Sequence, residues 1–189
     1  MDGLMGEYRD IAGMIDSDRV DDAVVRLESL IEQNPGDSTL WIMHGMALKA
    51  KGEVREALNS LNTAAVSDYM NPWPHLRKAE IYEEIGWLDK ALGEVEDAIE
   101  INPDKSEFWH EKGSILEEML IPKEAFECYF MAVVINDSAA WSWFGMARSL
   151  VYLNSLGKAM EAVDKAISIQ PTEKAFLDFK EYLNSKSAN

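Results

Sequence analysis

Apolar residues recur along the chain at intervals of three and four. Between residues 72 and 105, Leu76, Ala79, Ile81, Tyr82 and Ile85 form one series, and Leu88, Ala91, Leu92, Val95, Ala98 and Ile101 form a second. Such spacing puts the side chains on one face of a helix, so 72–85 and 88–101 are predicted as two helices. Gly86 falls between them, where a left-handed residue closes a helix, and Gly52 stands at the same place one repeat earlier. The second helix runs into Asn102-Pro103-Asp104-Lys105-Ser106. Proline cannot continue a helix, and Asp104 or Ser106 is expected to cap the next one. The same punctuation returns at Asn34-Pro35-Gly36-Asp37-Ser38 and at Gln170-Pro171-Thr172-Glu173. Strand-like alternation is absent, which predicts an all-α chain.

The helical pattern has a long period. Trp41, His75, Trp109 and Trp143 lie 34 residues apart, as do Ala57, Ala91, Ala125 and Ala159. Ala64, Ala98, Ala132 and Ala166 keep the same interval, and so do the small residues Gly45, Ala79, Gly113 and Ala147. The repeats are therefore 38–71, 72–105, 106–139 and 140–173, without insertions. The small columns have a physical reason: antiparallel helices reach the close end of the usual helix separation only where small side chains face each other. The last alanine column is expected to receive the next repeat's first helix, so that each repeat completes its core on a neighbour and the array forms a solenoid.

With these positions the chain resembles the tetratricopeptide repeat (TPR) family. The family pattern of Trp, Leu, Gly, Tyr, Ala, Phe, Ala and Pro is matched by Trp109, Lys112, Gly113, Leu116, Ala125, Tyr129, Ala132 and Asp137. In the next repeat it is matched by Trp143, Met146, Ala147, Leu150, Ala159, Val163, Ala166 and Pro171. The departures are mild: Lys112 and His44 replace the leucine, His75 a tryptophan, and Tyr69 and Asp137 the proline. The resemblance implies a right-handed alpha-alpha superhelix of antiparallel helix pairs and, for residues 1–189, a single solenoid domain. A divergent end repeat is expected at 4–37, with Met14, Ala23, Leu27 and Pro35 in register but Glu7, Ile11 and Leu30 at the tryptophan, glycine and late alanine positions. Residues 174–184, with Phe176, Leu177, Phe179, Tyr182 and Leu183, are expected to form a capping helix, and 185–189 a loose tail.

Composition narrows the partners. The chain has 189 residues, 47% of them apolar, and 34 acidic against 18 basic side chains give a formal charge of −16. That field disfavours nucleic acid and anionic membrane surfaces and favours cationic partners. A lone cysteine, Cys128, excludes an internal disulfide and an all-cysteine zinc site. The start, Met1 to Glu7, lacks a secretory pattern, and the most apolar run, Ala125 to Ile135, is too short to span a bilayer. A cytoplasmic protein is expected.

Catalytic motifs are absent: there is no phosphate-binding glycine loop, dinucleotide fingerprint, nucleophile elbow or C-x-x-C. His110-Glu111-Lys112-Gly113-Ser114 begins like a zinc protease helix, but Ser114 occupies the second ligand position. Neither a metal nor a cofactor is expected, and His75 and His110 are expected as packed or solvated side chains. Cys128, among Phe126, Tyr129 and Phe130, is expected as a buried, inert thiol. The reading is a non-catalytic interaction module.

In proteins similar to this one, positions two, five, nine, twelve and thirteen of each repeat line a concave, peptide-binding groove. The resemblance therefore implies that Thr39, Ile42, Met46, Lys49 and Ala50 belong to it, followed by Trp73, Leu76, Glu80, Glu83 and Glu84. The next repeat supplies Glu107, His110, Ser114, Glu117 and Glu118, and the last Trp141, Phe144, Arg148, Val151 and Tyr152. Repeats that clamp the acidic tails of heat-shock chaperones place lysine, arginine and asparagine at these positions. That set is missing here. The expectation is instead a partner protein or peptide with Lys or Arg beside apolar anchors, the glutamates supplying the field and Trp73, Trp141, Phe144 and Tyr152 the buried area. A structural, self-assembling element is the alternative, suggested by the apolar cluster Trp141, Phe144, Val151 and Tyr152.

Overall fold

A computed structural model of the chain describes residues 2–17 and 19–187. Among them eleven helices follow one another and no strand occurs. In order they are α1 (Asp2–Ile15), α2 (Val20–Gln33), α3 (Ser38–Ala50), α4 (Val54–Ser67), α5 (Trp73–Glu84) and α6 (Leu88–Ile101). Then come α7 (Ser106–Glu118), α8 (Pro122–Ile135), α9 (Ala140–Tyr152), α10 (Leu156–Ile169) and α11 (Lys174–Ser187). The helices pack into two compact units, Met1–Ile101 and Asn102–Asn189. The first is built on Ile11, Leu27, Leu40, Leu61 and Ile81, and the second on Phe108, Ile115, Leu116, Val163, Phe176 and Leu183.

Within each unit successive helices pair, α3 on α4, α5 on α6, α7 on α8 and α9 on α10. The alanines of both columns, from Ala57 and Ala64 to Ala159 and Ala166, are fully buried. Three glycines show how close the helices come. A methyl group at Gly45 or Gly113 would lie 2.8 Å from the side chain of Leu61 or Tyr129, and one at Gly145 would lie closer still to the Tyr129 ring. Gly113 on α7 and Gly145 on α9 thus form a notch that holds one phenol from α8.

The turns inside the helix pairs keep the 34-residue register in their backbone. Gly52 and Gly86 have φ of +81° and +75°, and the equivalent residues Leu120 and Asn154 have +59° and +57°. Asparagine tolerates this region, whereas a leucine there costs roughly 1–2 kcal/mol through its Cβ. Between pairs, the Nε1 of Trp41, Trp109 and Trp143 donates to the carbonyl six residues earlier, on Pro35, Pro103 and Asp137, at 2.8–2.9 Å. Each indole thereby ties the incoming linker to its own helix.

Two local expectations need correction. Asp37 caps α3, its Oδ1 accepting from the amides of Thr39 and Leu40, but neither Asp104 nor Ser106 caps α7. The Asp104 amide is instead taken up in a turn by the Asn102 side chain, and Ser106, the first helical residue, directs its hydroxyl to Glu107. At the other end, α11 continues through residues 185–187, because Ser185 returns its hydroxyl to the Tyr182 carbonyl and no breaker intervenes. Residues 188 and 189 of the expected tail lie outside the described residues.

Replacing Gly145 with alanine is expected to destabilise the protein by about 1–3 kcal/mol, through overpacking against Tyr129. Urea denaturation of Gly145→Ala, Tyr129→Leu and the double variant checks this, the double variant recovering part of the loss. Leu120→Gly is expected to raise stability by about 0.5–1 kcal/mol, since relief of the left-handed strain exceeds the added chain entropy; a higher urea midpoint is the readout.

Candidate functional site

In the N-terminal unit the first-helix residues of two repeats meet at one cavity of about 380 Å³. Met46, Lys49 and Ala50 of α3 and Glu80 and Glu84 of α5, all groove residues by sequence, line it together with Arg77, Ile81, Leu61, Gly45 and the end of α1 at Ile15. The floor is apolar and the rim is charged with both signs. Lys49 Nζ pairs with Glu84, and the Arg77 guanidinium pairs with Glu80. Two of the glutamates read as an open acidic field are thus already balanced by cations beside them.

The other groove residues of this unit divide. Ile42 packs on the core. Trp73 is half-buried, with the Arg77 guanidinium 6.0 Å from its ring centroid. Glu83 is half-buried near the end of α5. Leu76, expected in the groove, is buried, only 5% exposed.

In the C-terminal unit Glu117 is the centre of the polar contacts. Its Oε2 accepts from the Tyr129 hydroxyl at 3.0 Å, and its Oε1 lies 2.8 Å from Arg148 Nη2. His110 bonds Ser142 Oγ through Nδ1 at 3.0 Å, and burial pushes its imidazole below its ordinary value. Ser114 is half-buried, and Glu107 and Glu118 are exposed. Phe144 is corrected from groove to core: it is 8% exposed, with Phe176 and Phe179 of α11 at ring-centroid distances of 4.9 and 5.2 Å. Trp141 meets Phe176 edge-on at 4.9 Å yet remains 46% exposed. Tyr152 is 62% exposed and borders a second cavity, of about 290 Å³, with Glu117, Leu120 and Pro122.

Sequence reasoning missed Arg77, Ile15 and Leu120. Arg77 stands three residues before Glu80 on one helix, a spacing that favours an ion pair. Leu120 occupies the register of Gly52 and Gly86, so an apolar residue at a turn glycine was the available signal. Cys128 is buried, as the sequence suggested.

The family profile described as tetratricopeptide repeat matches residues 75–105 and 142–173. These two segments are tetratricopeptide repeats. Solved structures of similar fold include pilF of Pseudomonas aeruginosa, 18% identical with a TM-score of 0.79 over 89% of this chain and 77% of that one. TTC0263, a thermophilic TPR protein of Thermus thermophilus, is 17% identical with a TM-score of 0.73, over 95% and 97%. YrrB, described as a TPR protein with an unusual peptide-binding site, is 19% identical with a TM-score of 0.70, over 90% and 88%. No curated protein sequence matches the chain. The all-α fold of paired helices is thereby shared with solved TPR structures, and TPR repeats typically serve as non-catalytic platforms for other proteins. Among the described residues no helix is long and apolar enough to cross a membrane.

The lowered imidazole of His110 sets a pH dependence. A base whose folded value lies below its unfolded one stabilises the fold above the unfolded value of 6.5, and that contribution is lost as pH falls below it. Urea midpoints at pH 7.5 and pH 5.5 are expected to differ less for His110→Asn than for the parent protein.

Proposed function

We propose that this TPR protein is a non-catalytic, cytoplasmic interaction module that holds an extended segment of a partner protein on its first-helix surfaces. The observation that carries the reading is the N-terminal cavity: an apolar floor of about 380 Å³, large enough for one or two apolar side chains, rimmed by Lys49, Arg77, Glu80 and Glu84. Apolar volume inside a charged rim is the usual form of a peptide anchor site. The peptide-binding description of YrrB supports the same class of role.

The partner segment carries apolar anchors with Lys or Arg beside them. The formal charge of −16 favours its approach, and Glu84, Glu107 and Glu118 are exposed to receive it. The paired rim adds a condition that charge counting lacks. An incoming cation must displace Lys49 from Glu84 or Arg77 from Glu80, so the glutamates contribute more to encounter and orientation than to affinity.

Selection from a displayed peptide library is expected to enrich segments with Lys or Arg next to aliphatic or aromatic residues, their affinity falling with salt. Met46→Arg, which fills the cavity with a charge, is expected to abolish the selection. Replacing Glu83, Glu84, Glu117 and Glu118 together by glutamine is expected to flatten the salt dependence. Unchanged affinity and salt dependence in that variant would refute a basic partner.

A second reading, self-association, is favoured by α8 instead of the aromatic cluster, since Phe144 is covered by α11. Phe130, Met131 and Val134 are exposed. The first two stand where the other repeats have Asn62, Glu96 and Asp164, and Thr63, Asp97 and Lys165. Sedimentation equilibrium separates the readings: a concentration-independent monomer removes self-association, whereas a dimer lost in Phe130→Glu sustains it.

A further inference from the structure

We propose that His75, Glu94 and Asp97 form a site for one divalent transition-metal ion of the zinc class. The three side chains come from a single helix pair. His75 lies on α5, and Glu94 and Asp97, three residues apart, share a face of α6. His75 Nδ1 is 2.9 Å from Glu94 Oε2 and 3.6 Å from Asp97 Oδ2, and one donor atom from each of the three residues lies within 4.8 Å of the others. Donors held at about 2.1 Å from a tetrahedral ion sit roughly 3.4 Å apart. The two distances from Nδ1 lie within about 0.5 Å of that separation, and the two carboxylates close on each other by at most about 1.4 Å, the ion taking the place of the hydrogen bond between Nδ1 and Oε2.

The surroundings suit such a site. Lys78, one turn along α5 from His75 and only 8% exposed, holds the other carboxylate oxygen, Glu94 Oε1, at 2.7 Å from its Nζ. That contact orients Glu94 so that Oε2 faces the imidazole, the part that outer-shell groups play at metal centres. His75 and Glu94 are half-buried and Asp97 is open to solvent, which leaves an entry path and room for water on the ion. One imidazole with two carboxylates matches zinc, cobalt or nickel better than the oxygen-seeking calcium and magnesium ions.

The repeat supplies an independent observation. In the other three repeats of the unbroken frame, the place of His75 is held by Trp41, Trp109 and Trp143, whose indoles bond the linker carbonyl. The place of Glu94 is held by Ser60, Cys128 and Ala162, and that of Asp97 by Thr63, Met131 and Lys165. A single repeat thus departs from the shared tryptophan at His75 and, on its second helix, carries carboxylates at two positions where no other repeat has one. All three residues are metal-binding groups, and folding brings them together. The sequence motif at His110 that resembles a zinc helix has no part in this set.

The test is titration of the untagged full-length chain with zinc chloride by calorimetry and with cobalt chloride by visible absorption. One ion per chain is expected, with cobalt bands of a low-coordinate nitrogen and oxygen site. Asp97→Asn, at an exposed side chain that the fold does not need, is expected to weaken binding by at least about tenfold. His75→Ala is expected to remove the cobalt bands, and His110→Ala to leave both titrations unchanged. Absence of saturation at about 1 mM free zinc, or parental affinity in Asp97→Asn and His75→Ala, overturns the proposal.

Discussion

Close approach of helices at small side chains is the constraint on which the rest of this structure depends. Eight alanines at two positions of the repeat are buried without remainder, and glycine is used where even a methyl group would collide. Because the pairs are held at that distance, residues on the far side of each first helix fall into line. Met46 and Lys49 on α3 thus meet Glu80 and Glu84 on α5 around one cavity. The surface proposed for a partner follows from packing on the opposite face.

Charge on that surface is organised locally. Glu80, Glu84 and Glu117 each have a cation at ion-pair distance, from Arg77, Lys49 and Arg148. These pairs are partly exposed, so each contributes little to stability, on the order of 0–1 kcal/mol. On the proposed reading their greater effect is on selectivity, since a neutral apolar side chain would enter the cavity without breaking them and a basic one would exchange with them. Half-buried polar groups follow a different logic. Burial alone raises the Glu94 carboxyl, but bonds from His75 and Lys78 overcome it and hold that carboxyl below its ordinary range. Such a group stays ionised because its neighbours donate to it.

The helices, their pairing and the turn positions could be read from the sequence, because each depends on local spacing and on a register repeated four times. Site residues were less legible. Leu76 and Phe144 occupy a repeat position that the family resemblance assigns to the groove. Whether that position faces out depends on what packs there, and for Phe144 it is α11, a helix outside the repeat frame. The Arg77–Glu80 pair is local and could have been found. The His75–Glu94 pair joins two helices 19 residues apart, and only the closed hairpin shows that a histidine at a tryptophan position turns toward the second helix.

The notch that holds Tyr129 has a bearing on how such a chain could be rearranged. The phenol belongs to the repeat 106–139, but Gly145 belongs to the next one, at a position where the others carry Met43, Arg77 and Glu111. The counterparts of Tyr129 are the smaller Leu61, Val95 and Val163, which ask for no such gap. Two neighbouring repeats have therefore been fitted to each other across their boundary. Transplanting the first alone would put its ring against a side chain and transplanting the second alone would leave its glycine facing a smaller residue, so the interchangeable building block at this point of the array is the pair.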